Sequence, residues 1–104
     1  MQLEHPDRAD LELTAVLHAL SDPGRLRIVQ ILAADDGPRR CGSFGLDVSK
    51  STMTHHFRVL REAGVIRQWC EGTSKLSVLR REDLEARFPG LLEAVLAPAS
   101  PAAA

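Results

Sequence analysis

One segment, Ser49-Lys50-Ser51-Thr52-Met53-Thr54-His55-His56-Phe57-Arg58-Val59-Leu60-Arg61-Glu62-Ala63-Gly64, constrains this chain more than any other. Ser49 suits a helix N-cap, because its hydroxyl can accept from an unpaired backbone N–H of the first turn. Gly64 can take the left-handed conformation that closes the other end. Between them Met53, Phe57 and Leu60 fall at i, i+4 and i+7, which predicts a helix with one stripe facing a core. The opposite side carries Ser51, Thr52, Thr54, His55 and Arg58: short hydrogen-bonding side chains near the front, then a cation. A merely solvated face would be richer in Glu and Lys pairs. Short polar groups at the front of a helix suit the major groove of DNA, where base edges and phosphates must be approached closely.

Charge supports this reading once it is resolved along the chain. The net charge of −1 hides a gradient. Residues 1–48 hold 5 Lys/Arg against 8 Asp/Glu, residues 49–81 hold 7 against 2, and residues 82–104 hold 1 against 4. A basic middle between acidic ends fits a nucleic-acid-contacting unit flanked by parts that face elsewhere. At 104 residues the chain is expected to form one domain over residues 1–96, small enough for dimerisation to help stabilise it. An Ala/Pro tail at 97–104 has nothing to pack with and is expected to be disordered. Two cysteines are too few for a disulfide scaffold. No apolar run approaches the ~20 residues of a membrane span, and the N-terminus lacks signal-peptide character. The expected location is the cytoplasm, without membrane contact.

The remaining periodicities order the elements. Leu13, Val16, Leu17 and Leu20 predict an amphipathic helix over residues 9–20. Asp22 as N-cap and Pro23 at the first helical position open a second helix to about Ala34, and Asp35-Asp36-Gly37-Pro38 breaks it. Residues 39–48 read as a short irregular helix or turn, with Phe44, Leu46 and Val48 inside. Two β-prone runs, Val65 to Glu71 and Lys75 to Arg80, flank a Glu71-Gly72-Thr73-Ser74 turn and predict a hairpin. A last helical segment opens at Arg81 and is interrupted by Pro89-Gly90. The expected fold is mainly α with a β-hairpin wing: a winged helix-turn-helix with extra N- and C-terminal helices for dimerisation.

Several of these motifs, in register, resemble the ArsR/SmtB family of small dimeric repressors. Ala19-Leu20-Ser21-Asp22-Pro23-Gly24-Arg25-Leu26-Arg27-Ile28 is similar to the family's entry into its second helix. The segment from Ser49 to Ile66 is similar to its recognition helix, and Glu71-Gly72-Thr73 to its wing tip. The resemblance covers roughly residues 10–96 and implies a homodimer on a palindromic double-stranded operator, released by an inducer. It places Ser51, Thr52, Thr54 and His55 at bases, Ser49, Lys50 and Arg58 at phosphates, and Thr73, Ser74 and Lys75 on the adjacent backbone or minor groove. His56 falls on an inward position and is read as a packing residue. Leu13, Val16, Leu17, Leu92 and Val95 are expected at the dimer seam.

The sensor departs from the family pattern. Metal-sensing relatives carry Cys-x-Cys before the recognition helix, whereas this chain has Pro38-Arg39-Arg40-Cys41, and no His follows Arg81. One thiol does not make a site for a soft cation. Adjacent His55 and His56 point about 100° apart on a helix and seldom share an ion. No metal and no cofactor are therefore expected, and the inducer is unknown. Cys41 beside two arginines is a candidate redox position; the simpler reading makes it a small apolar residue in a turn, and Cys70 a strand residue facing the core. No phosphate loop, carboxylate pair or Ser/His/acid set points to an enzyme. The alternatives kept open are a winged helix used for protein–protein binding and a metal- or redox-responsive repressor of the same fold.

Overall fold

The computed structural model describes residues 3–35 and 37–97. The expected disorder of the Ala/Pro tail lies outside the described residues, apart from Ala97. In chain order the elements are α1 (Leu13–Leu20), α2 (Pro23–Ala34), β1 (Arg39–Arg40), α3 (Lys50–Glu62), β2 (Ile66–Glu71), β3 (Ser74–Leu79), α4 (Arg81–Arg87) and α5 (Leu91–Leu96). Short 3₁₀ turns occupy Arg8–Asp10 and Cys41–Ser43. The strands form one antiparallel sheet in the order β1-β3-β2. The architecture is a winged helix-turn-helix.

The first expected helix is shorter than its periodicity suggested. Glu12 is extended, with φ −114° and ψ 131°, and separates the 3₁₀ turn from α1. That break lets Leu11 leave the helix and bury itself in the core. It packs over Gly64, whose φ is +84°; a Cβ there would collide with Leu11 Cδ2. Glycine is thus required at the end of α3 by both conformation and space. The same turn is closed by the Val65 N–H donating to Leu60 O at 2.9 Å and the Gly64 N–H to Arg61 O at 3.0 Å, which sets the direction of the wing.

The helices are fastened to one another at their ends. The Asp22 carboxylate accepts from the Arg25 N–H at 3.1 Å and caps α2. Buried Arg25 then donates from Nε to Ala19 O at 2.7 Å and from Nη2 to His18 O at 3.2 Å. A cation on the last carbonyls of α1 also complements that helix's dipole. Val16, Ala19, Ile28, Val29, Leu60, Val65, Ile66 and Leu84 are fully enclosed in a single core between the helices and the sheet.

Four expectations need correction. Residues 39–48 contain a third strand, β1, with Arg39 opposite Ser77 and Arg40 opposite Leu76. Two residues are too few to show alternation, so periodicity could not reveal it. Val48, expected inside, is 42% exposed, because the chain turns outward to reach the Ser49 cap. Val16 and Leu92, expected at a dimer seam, are buried within their own chain, whereas Leu13 and Leu17 are each 45% exposed. Leu13 and Leu17 are four residues apart and share the outer face of α1, from which Val16 turns inward. Cys70 is exposed, because its place in the pleat puts it opposite Lys75 on the outer side of the hairpin. The packed side belongs to Ile66, Gln68, Ser77 and Leu79.

Candidate nucleic-acid interface

The cap on α3 forms as the sequence predicts. Ser49 Oγ accepts from the Thr52 N–H at 3.2 Å and lies 2.9 Å from Thr52 Oγ1, to which it donates. It also lies 3.1 Å from Ser51 Oγ. The capped end therefore presents a small hydroxyl cluster beside the positive pole of a thirteen-residue helix. Lys50, Ser51, Thr54, His55, Arg58 and Glu62 are the exposed residues of α3, and Thr52 is half-buried through its bond to the cap. The outward face carries no exposed apolar side chain.

The inward face fixes the orientation of that outward face. Phe57 is buried and meets Phe44 edge-on, with ring centroids 5.3 Å apart and planes at 66°. This contact clamps the irregular 41–48 segment against the helix. His56 is buried, with Nε2 3.6 Å from Asp22 Oδ2, while neighbouring His55 faces solvent. The Arg25 N–H, and secondarily the histidine, hold the Asp22 carboxyl below the usual carboxylate range. The two rings are 6.3 Å apart and tilted by 45°, so they serve different sides of the helix.

The wing is a hairpin in which Glu71 pairs with Ser74 across a two-residue Gly72-Thr73 turn. Gly72 has φ +62° at the first central position, the arrangement of a type II′ turn. Thr73 and Lys75 are exposed at the tip, and Ser74 is half-buried. Arg40 is also exposed on β1, a position the sequence pattern did not mark.

Not all of the basic middle faces outward. Arg80 is buried; its Nε donates to Asp83 Oδ2 at 2.8 Å and its Nη1 to Pro6 O at 2.8 Å. Arg8 Nε reaches Asp83 Oδ1 at 2.7 Å, and Arg67 approaches Asp83 Oδ2 at 3.7 Å. The Arg8 and Arg80 hydrogen bonds hold the Asp83 carboxyl below its ordinary range. Those arginines fasten the N-terminal segment to α4. Arg58 pairs with Glu62 at 3.4 Å, but both side chains are mostly solvated and the pair is weak. Lys50 and Lys75 have no carboxylate within 4.0 Å among the described residues. The cations free to meet phosphate are thus fewer than composition suggests, and they cluster on α3 and the wing.

A cavity of about 760 Å³ lies behind α3, between the helix, the 41–48 segment and the sheet. Its polar floor is a buried network. Gln68 Nε2 donates to Ser77 Oγ at 3.0 Å and to Cys41 Sγ at 3.4 Å, and Arg61 Nη1 donates to Gln68 Oε1 at 3.0 Å. Arg61 and Gln68 were not singled out from the sequence. The signal was present: Arg61 follows Phe57 by four residues and puts a cation on the core-facing stripe. Cys41 is half-buried in this network, 3.4 Å from Ser77 Oγ. Among the described residues, no three His, Cys, Asp or Glu side chains form a metal-binding group, and no helix is long and apolar enough to cross a membrane.

Known proteins resemble this chain in sequence and fold. Residues 20–68 match the family described as a helix-turn-helix domain. The helix-turn-helix-type transcriptional regulator YceK of Bacillus subtilis (strain 168) is 34% identical over 80 residues, spanning 75% of this chain and 80% of that protein. Among solved structures, an ArsR family transcriptional regulator superposes with a TM-score of 0.66 at 24% identity, over 79% of this chain and 90% of that one. The transcriptional repressor BigR from Xylella fastidiosa superposes with a TM-score of 0.61 at 23% identity, over 88% and 92% of the two chains.

Proposed function

This chain belongs to the helix-turn-helix-type transcriptional regulators, and on that premise we propose that it is an ArsR/SmtB-type dimeric cytoplasmic repressor that binds DNA, not an enzyme, released from a palindromic operator by an inducer other than a metal. The observation that carries the reading is the outward face of α3, where every exposed side chain is polar and follows a capped N-terminus. A helix docking on another protein would present apolar groups there, or more acid than Glu62, which lies at the far end of the helix and pairs with Arg58. Ser51, Thr52, Thr54 and His55 read base edges. Ser49, Lys50 and Arg58 hold phosphates, and Thr73, Ser74 and Lys75 of the wing engage the neighbouring backbone.

Leu13 and Leu17 supply the dimer contact on α1, with half-buried Val95 on α5 completing the apolar surface. A two-fold dimer presents two recognition helices to successive major grooves, and so requires a palindrome. Repression is favoured by the repressor BigR, which shares the fold. The non-metal inducer is supported by the single thiol before α3 and the absence of His after Arg81. Cys41, the candidate redox position, is read as structural because its thiol is engaged with Gln68 and Ser77.

Selection of DNA fragments by the purified protein, with sedimentation of the resulting complex, tests this function. The expected outcome is an inverted repeat bound by two chains. Recovery of no preferred sequence, or of a single half-site bound by one chain, contradicts it.

A further inference from the structure

The cavity behind α3 has one feature that packing does not explain. Arg61 Nε is buried without a hydrogen-bond partner, and no carboxylate lies within 4.0 Å of the guanidinium among the described residues. A desolvated cationic N–H left unpaired is costly. Arg39 Nε and His56 Nδ1 also lack partners, but another nitrogen of each side chain meets a carboxylate: Arg39 Nη1 lies 2.9 Å from Asp35 Oδ2, and His56 Nε2 lies 3.6 Å from Asp22 Oδ2. Arg61 instead lines an open space, next to the Gln68 amide on the floor and an apolar wall of Phe44, Leu46, Met53 and Phe57. The volume of about 760 Å³ falls within the range of about 300–1,000 Å³ usual for small-molecule sites.

We infer that this cavity is an effector site for a small organic acid with an apolar body, its carboxylate held by Arg61 and Gln68 and its body by the Phe44–Phe57 wall. The charge demands an anion. Lys50, Lys75 and the Arg58–Glu62 pair are exposed at the rim of the cavity, so Arg61 is the cation beside the apolar wall, and one acidic group on an apolar body fits it better than a phosphate ester or a polyacid. The site rests on the proposed regulatory reading only for its consequence. Lys50, Thr54, Arg58 and Lys75, all assigned to DNA above, also line the cavity. An anion inside draws those cations inward and competes with phosphate for them, so acid and operator oppose each other. Linkage makes the effect reciprocal: each lowers the other's affinity by the same factor.

Calorimetric titration of the purified full-length protein, without DNA, tests the site independently of its role. The probes are octanoate, its neutral analogue octanamide, and 1-naphthoate. One carboxylate per chain is expected, at least tenfold tighter than octanamide; octanoate as the tighter acid assigns an alkyl body, 1-naphthoate a flat aromatic one. Arg61→Gln should bind octanoate and octanamide alike, and Leu46→Trp, which narrows the cavity at its apolar wall but leaves the charge, should weaken both acids. Octanoate binding no tighter than octanamide, or unchanged in either variant, overturns the site. Adding octanoate to the operator complex then reads the coupling. Acid binding that leaves operator affinity unchanged overturns the antagonism, and failure to bind any DNA overturns the regulatory reading while leaving the calorimetric result standing.

Discussion

The outward and inward faces of α3 obey different physical rules although they alternate along one helix. Outward, Lys50, Ser51, Thr54, His55 and Arg58 touch mostly solvent, so their identities are free to serve a partner. Inward, Phe57 and Leu60 are buried, and Phe57 holds the 41–48 segment in place through Phe44. Changes on one face should therefore alter recognition without altering stability, and changes on the other should do the reverse.

The largest expected effect is on the inner face. Phe57→Ala removes a buried ring and its edge-on partner, and should cost about 3–5 kcal/mol in denaturant unfolding. Thr54→Ala, exposed on the same helix, should stay within about 0.5 kcal/mol of wild type. Equal losses in the two variants would break the separation between the faces.

A smaller effect belongs to charge on the outer side. Lys50→Gln and Lys75→Gln should each lower the slope of log affinity against log salt by about one, at any DNA sequence. Binding titrations at several salt concentrations measure it. An unchanged slope would remove that residue from the phosphate contacts.

The smallest effect is on pH dependence, away from both faces. Burial, and then the nearby charges of Arg67, Arg80 and Arg61, lower the pKa of His5, whose Nε2 accepts from the Gln68 N–H at 2.9 Å. Neutral His5 is the docked form. Its contribution is therefore present above the unfolded value of about 6.5 and is lost as pH falls through the lower folded value. Asp83 follows the same direction in a more acidic window: its stabilisation holds above the unfolded value of about 3.8 and fades as pH falls below it toward the lower folded value. Unfolding followed between pH 7 and 3 should show two steps of loss, and His5→Gln should erase the upper one.

These contrasts also explain what could be read from sequence. Helix α3 was legible because local chemistry marks it: Ser49 caps it, Gly64 ends it and the stripe between has the helical period. The hairpin was legible through Gly72 at a turn position that demands positive φ. Strand β1 was not, since two arginines carry no β pattern and pair only because β3 runs alongside them. The inward turn of Val16 and the burial of Leu92 were equally hidden, because an apolar stripe shows that a face is covered but not by what. The cavity depends on Arg61 meeting Gln68 across seven residues and a turn, a juxtaposition that only the folded chain creates.

The most direct test of the division between the faces is to measure operator binding and unfolding on the same preparation of a Thr54→Ala/His55→Ala double variant. A lost base contact costs about 1–3 kcal/mol at one base pair, so affinity for the selected operator should fall by roughly tenfold or more, while binding to unrelated DNA and the unfolding midpoint stay as in wild type. Wild-type affinity for the operator, or a loss accompanied by an equal loss of stability, would contradict the assignment of this face to DNA.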